Sequence, residues 1–280
     1  MFAGFLLLTL LCAPVQWIAV KARFPARRTI PKFYHRSLCK MIGIRVRVFG
    51  EPLTSGGLLL ANHSSWLDII ILSSICPFTF VAKSEVNSWP LFGFLARLQS
   101  TIFVRRGEKS RTLSDREIIR NRIDSGEEIV IFPEGTSSDG NRVLPFKSAL
   151  LSAAELPLHD EQGPDSETKV QPVSIAYVAN YGIPMGREIR PSYAWYGDMD
   201  LLPHLWGAFA AGPLDVVVEF HEPLTSVAAG GRKKLADRAE CAVRAGLMRA
   251  LNGGAEHSKI FTDSSKNEAS DDAVVAEAAQ

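Results

Sequence analysis

The chain opens on a stretch without charge, Met1 to Val20, dense in apolar side chains: Phe2, Phe5, Leu6, Leu7, Leu8, Leu10, Leu11, Trp17 and Ile18. A helix of about 20 apolar residues reaches across a bilayer. Pro14 and Gln16 interrupt the run near its end, so an anchor lying in the interface is the main alternative to a spanning helix. A cleaved signal peptide is a third reading, but such peptides open with a positive region and this one does not. From Ile44 the texture becomes globular. Short apolar runs at 44–49, 57–61, 78–82, 101–104, 128–132, 170–178 and 216–220 read as strands. Between and after them, helical spacing appears at 114–126, 146–156 and 231–251. The first of these carries a capping box, Ser114 with Glu117, and then Ile118, Ile119 and Ile123. Strands separated by helices predict an α/β fold with a largely parallel central sheet. This divides the chain into an anchor and basic segment over 1–43, a globular domain over 44–252 and a tail over 253–280.

Charge sharpens this division. The net charge is only +1, yet residues 1–50 hold nine Lys and Arg and no acid, and the last 26 residues hold six acids against two lysines. A basic stretch directly after an apolar one faces anionic headgroups and places the globular domain in the cytoplasm. Nucleic acid is the weaker partner for it, given that position. The small, acidic tail reads as disordered. Cys12, Cys39, Cys76 and Cys241 are scattered, without metal or redox spacing, and suit a reducing compartment.

Candidate chemistry lies at strand ends, where parallel α/β sheets keep their sites. Asn62-His63-Ser64-Ser65-Trp66-Leu67-Asp68 comes directly after the strand at 57–61. His63 is able to take a proton from a hydroxyl near neutral pH, and a carboxylate that fixes its tautomer strengthens it. Side chains five apart on one helix diverge by about 140°, so His63 and Asp68 meet only if a helix starts between them, with Ser64 or Ser65 as N-cap. The plainer reading is a helix-capping Ser65, a dipole-placed Asp68 and an ordinary loop histidine. Glu134 comes just after the strand at 128–132, on a turn that Gly135 lets bend. Lys83 and Arg106 each stand just past a strand and together could hold an anion. Singly, each is more often a solvated charge.

Taken in order, Asn62-His63-Ser64-Ser65-Trp66-Leu67-Asp68, Val81-Ala82-Lys83-Ser84-Glu85, Ile102-Phe103-Val104-Arg105-Arg106, Phe132-Pro133-Glu134-Gly135-Thr136 and Val170-Gln171-Pro172-Val173-Ser174-Ile175 resemble the motif series of the glycerolipid acyltransferase family, that of 1-acyl-glycerol-3-phosphate acyltransferase. The resemblance runs from about Ile44 to Leu224. It implies that His63 is the general base, Asp68 its orienting acid, and Lys83, Arg106, Glu134, Gly135 and Thr136 the acceptor site. It implies direct transfer from acyl-ACP or acyl-CoA as co-substrate to a lysolipid hydroxyl, at the bacterial inner membrane, with no metal or other cofactor. Trp89, Leu91, Phe92, Phe94, Leu95 and Leu98 would then line an acyl groove, or form a plain core helix.

One position departs from the phosphate-accepting pattern. Where such members carry arginine after Glu-Gly-Thr, this chain has Ser137. Losing a cation at a dianionic phosphate costs about 2–5 kcal/mol unless Arg142 or Lys147 replaces it. The loop after Glu134, with Trp195-Tyr196-Gly197-Asp198-Met199-Asp200-Leu201-Leu202-Pro203-His204-Leu205-Trp206, is more similar to the bacterial lyso-ornithine lipid O-acyltransferases, whose headgroup is zwitterionic. Asp139 would suit its amine, or is simply a turn former. A lipid esterase is a rival, but there is no G-x-S-x-G elbow. A non-catalytic lipid-binding protein would be expected to carry a broken His/Asp/Glu set.

Overall fold

A computed structural model describes residues 2–105, 109–155, 167–253 and 259–260. The chain runs α1 (Phe2–Lys21), α2 (Ala26–Ile42), β1 (Ile44–Phe49), β2 (Gly57–Ala61), α3 (Leu67–Ile75), β3 (Thr79–Lys83), α4 (Phe92–Leu98), β4 (Ile102–Val104), α5 (Lys109–Asp124), β5 (Glu128–Ile131), β6 (Val170–Asn180), β7 (Ile183–Pro184), α6 (Leu201–Ala210), β8 (Leu214–Phe220), α7 (Ser226–Ala229), α8 (Arg232–Leu251) and β9 (Lys259–Ile260). The sheet order is β4-β3-β5-β2-β6-β8-β1-β9, with β7 against β6. From β4 to β6 every pair is parallel, as is β1 with β8. The β6–β8, β6–β7 and β1–β9 pairs are antiparallel. The expected α/β architecture is the one present.

The continuous apolar runs form the middle of the sheet because both faces are covered. β2 is buried along its whole length. One core lies between the sheet and α2, α3 and α6, the other between the sheet and α5 and α8. On α8, Gly246 sits where an added Cβ would come within 2.2 Å of Ser174 Oγ, so only glycine lets that helix lie this close to β6.

Two expected helices differ. α5 begins at Lys109, a turn earlier than the Ser114–Glu117 box implied, so Ser114 lies inside the helix. The expected helix at 146–156 is a 3₁₀ stretch, Ser148–Glu155. Beyond Gly253, the described part of the acidic tail is Lys259–Ile260, a short strand against β1.

α1 turns its polar residues inward. Thr9 and Gln16 are buried, while Leu7, Leu10, Leu11, Val15 and Ile18 face outward. Gln16 Nε2 donates to Arg27 O at 2.9 Å and Leu98 O at 2.7 Å, which ties α1 to the start of α2 and the end of α4. The residue that interrupts the apolar run is therefore a helix-to-helix link.

Candidate active site

The turn after β2 is fixed before its chemistry begins. Asn62 pairs with the backbone of Ile175 on β6, accepting from its N–H at 2.8 Å and donating to its C=O at 2.9 Å. α3 then starts at Leu67, between His63 and Asp68, as their meeting requires. Neither serine hydroxyl caps it. Instead Asp68, in the first turn, reaches back. Its Oδ2 accepts from Ser64 N at 2.7 Å and Ser65 N at 3.0 Å. The helix's own first N–H groups, of Asp68 and Ile69, donate to the backbone carbonyls of Ser65 at 3.0 Å and Trp66 at 3.2 Å.

The same Oδ2 lies 2.9 Å from His63 Nδ1. With the Nδ1 proton directed at this carboxylate, the neutral ring keeps its lone pair on Nε2. The ring stacks on Phe132 at 4.0 Å and 19°, and its side chain is 18% exposed, on the wall of a cavity. Asp68 Oδ1 accepts from Tyr177 Oη at 2.6 Å. Four donors thus converge on one buried carboxylate, the satisfaction such a group requires. Burial, and then the Asp68 charge, push the Tyr177 hydroxyl well above its ordinary range, so it acts here only as a donor. Tyr177 is absent from the sequence expectations. β6 is buried almost throughout, so no alternation marks the face on which Tyr177 lies.

Glu134, expected at the acceptor, is 1% exposed and is not among the residues that line the cavity. Its Oε1 accepts from His63 N at 2.9 Å and its Oε2 from Leu144 N at 3.1 Å. Burial pushes its carboxyl up to about 8, against the two backbone donors, which favour the charged form. Glu134 therefore holds the histidine turn from behind. Ser138 N, which donates to His63 O at 2.8 Å, and Trp195 N, which donates to Ser64 O at 2.8 Å, complete the clamp.

The loop after Glu134 folds on itself. Asp139 Oδ1 accepts from Asn141 N at 3.0 Å, so Asp139 is the turn former rather than a cavity group. Buried Arg190 supports the loop from below, donating to Asn141 Oδ1 and to the carbonyls of Tyr177 and Met185. Arg142 and Lys147 are exposed and are not among the residues that line the cavity.

The cavity is about 610 Å³ and mostly apolar. His63, Gly135, Thr136 and Ser137 line it, with Lys83 and Glu85, while α1, α2, α4 and α6 supply apolar wall. Among the described lining residues, Lys83 is the one Lys or Arg and Glu85 the one Asp or Glu. Of the expected groove, Trp89, Phe92, Leu95 and Leu98 line it, whereas Leu91 and Phe94 face outward. Arg106 lies outside the described residues. The structure thus brings His63, Asp68, Lys83, Gly135 and Thr136 to one region, with Glu134 behind them.

Residues 45–176 match the family model described as Acyltransferase. The chain is 44% identical over 256 residues to a lyso-ornithine lipid O-acyltransferase of Brucella abortus, covering 90% of this chain and 94% of that protein. It is 31% identical over 204 residues to a 1-acyl-sn-glycerol-3-phosphate acyltransferase of Neisseria gonorrhoeae, covering 73% and 74%. The crystal structure of the 1-acyl-sn-glycerophosphate acyltransferase of Thermotoga maritima superposes with a TM-score of 0.53 at 23% identity, over 92% of this chain and 99% of that one, which shows the shared fold.

Proposed function

Since the chain belongs to the glycerolipid acyltransferase family, we propose that it acylates the hydroxyl of lyso-ornithine lipid, with His63 as general base. Nε2 takes the hydroxyl proton as the oxygen attacks the thioester carbonyl. When the tetrahedral adduct collapses, the C–S bond breaks and the proton passes to the departing thiolate. The products are an ester and a free thiol, and no acyl-enzyme forms. Asp68 holds the ring's tautomer and stabilises the imidazolium, a general-base device worth about 10²–10⁴ in rate. Phe132 fixes the plane of the ring.

The observation that carries the reading is the His63–Asp68 pair opening onto an apolar cavity. The choice of acceptor rests on the 44% identity to proteins of that activity and on the cavity's charge. Ser137 stands where the phosphate-accepting pattern has arginine, and among the described lining residues Lys83 is the one Lys or Arg. Lys83 would pair with the headgroup carboxylate. Acyl-ACP or acyl-CoA serves as donor, its chain lying along the apolar wall.

The outward apolar face of α1 and the basic α2 after it support attachment at the bacterial inner membrane with the catalytic domain in the cytoplasm. Purified protein assayed with lyso-ornithine lipid and with 1-acyl-glycerol-3-phosphate tests the proposal. Preferential turnover of the first is expected, and turnover of only the phosphate acceptor would overturn it.

A further inference from the structure

α6 is a helix without a charged residue, yet only half of it is covered. Leu205, Ala208 and Phe209 are buried on its inner side. On its outer side Leu202 is 70% and Trp206 68% exposed. A helix that is apolar all round belongs in a protein core or in lipid. This one cannot be wholly in the core, because its outer side faces away from the protein.

Three further observations bear on what covers that side. Phe209, on the buried side of α6, packs against buried Phe5 of α1 at 6.1 Å between ring centroids, so the two helices are neighbours. The β6–β7 hairpin, with exposed Tyr181 and Ile183 at its tip, abuts the far end of α6: Tyr181 occupies the space a Cβ on Gly212 would need, and Asn180 Nδ2 donates to Ala211 O at 3.1 Å. Leu201, Leu205 and Phe209 line the cavity from inside. One helix thus separates the cavity from the exposed apolar surface.

We propose that α6 and the β6–β7 hairpin tip form a second bilayer-inserted element beside α1, so that the α6 wall of the cavity is immersed in the lipid from which the acceptor is drawn. Its occupant is phospholipid acyl chain and interface, not a second copy of the chain. Trp206 and Tyr181 are suited to the headgroup level, where amphipathic rings settle. Asp198 and Asp200 stand exposed at the start of the helix, so the insertion is driven by apolar burial and does not require anionic lipid. The role in acceptor entry rests on the proposed function, whereas the insertion itself does not.

The test combines depth and activity. In neutral phosphatidylcholine vesicles, the fluorescence component lost in Trp206→Phe should be quenched by lipids brominated near the headgroup and shielded from aqueous iodide. Quenching of that component by iodide and not by bromolipid overturns insertion, as does shielding that accompanies dimer formation without bromolipid quenching. A variant with Leu202→Asp and Trp206→Asp should lose about tenfold or more in turnover of vesicle-embedded acceptor while keeping a dispersed short-chain acceptor within about twofold. Equal loss on both acceptors overturns the entry role. If the unaltered protein acylates neither acceptor, the proposed function fails and the quenching still decides the insertion.

Discussion

Asp68→Asn isolates the charge of the catalytic pair from its geometry. Oδ2 receives three N–H groups, from Ser64, Ser65 and the His63 ring, and Oδ1 receives one O–H, from Tyr177. A carboxamide with its oxygen in the Oδ2 place keeps all three N–H bonds. Its nitrogen then faces the Tyr177 hydroxyl, which can turn to accept. The turn, the tautomer and the fold are therefore retained, and the negative charge is lost. Unit charges 2.9 Å apart attract by about 6 kcal/mol at an effective dielectric of about 20. The amide oxygen keeps part of that, so about 3–4 kcal/mol of imidazolium stabilisation disappears, or about 10²–10³ in kcat. Asp68 does not touch the cavity, so KM for both substrates should stay within about threefold. The assay is thiol release at saturating acyl thioester and lysolipid, with near-UV circular dichroism as the control for folding. A folded variant with kcat within about threefold of the unaltered protein, or with its loss confined to KM, would refute the charge argument.

Other perturbations probe the surroundings. Tyr177→Phe keeps the buried ring and removes one charge-assisted hydrogen bond, so thermal denaturation should show a loss of about 1.5–3 kcal/mol, and unchanged stability would mean that the hydroxyl does not hold Asp68. Glu134 has a folded-state pKa of about 8, raised from 4.5. The folded protein therefore binds the extra proton between those values, and stability should fall with rising pH across that window by up to about 1.4 kcal/mol per unit. Denaturant titrations at several pH values should show this slope flattened in Glu134→Gln, and equal slopes in both proteins would contradict the assignment.

The strands are legible in the sequence because a buried parallel strand must be a short continuous apolar run, and β2 and β5 are such runs. The His63–Asp68 pair is legible as one of two readings from spacing alone, and the series of motifs makes it a site. The groups around it are less accessible. Tyr177 hides in a strand buried on both faces. Glu134 announces itself as a carboxylate at a strand end, but its partners are backbone N–H groups at His63 and Leu144, which no side-chain pattern records. Gln16 reads as a flaw in an apolar segment until α2 and α4 bring their carbonyls to it. Asp139 and Arg142 stand out by charge, but Asp139 bonds within its own loop, Arg142 is exposed, and neither is among the residues that line the cavity.

Everything proposed for the site turns on His63 deprotonating an acceptor hydroxyl for direct attack on the thioester. Thiol release from an acyl thioester, measured with and without lyso-ornithine lipid in the unaltered protein and in His63→Ala, tests that step most directly. Release should occur only when acceptor is present, and should fall by at least about 10² in the variant. A stoichiometric burst of thiol without acceptor, or a folded His63→Ala protein with undiminished release, would contradict it.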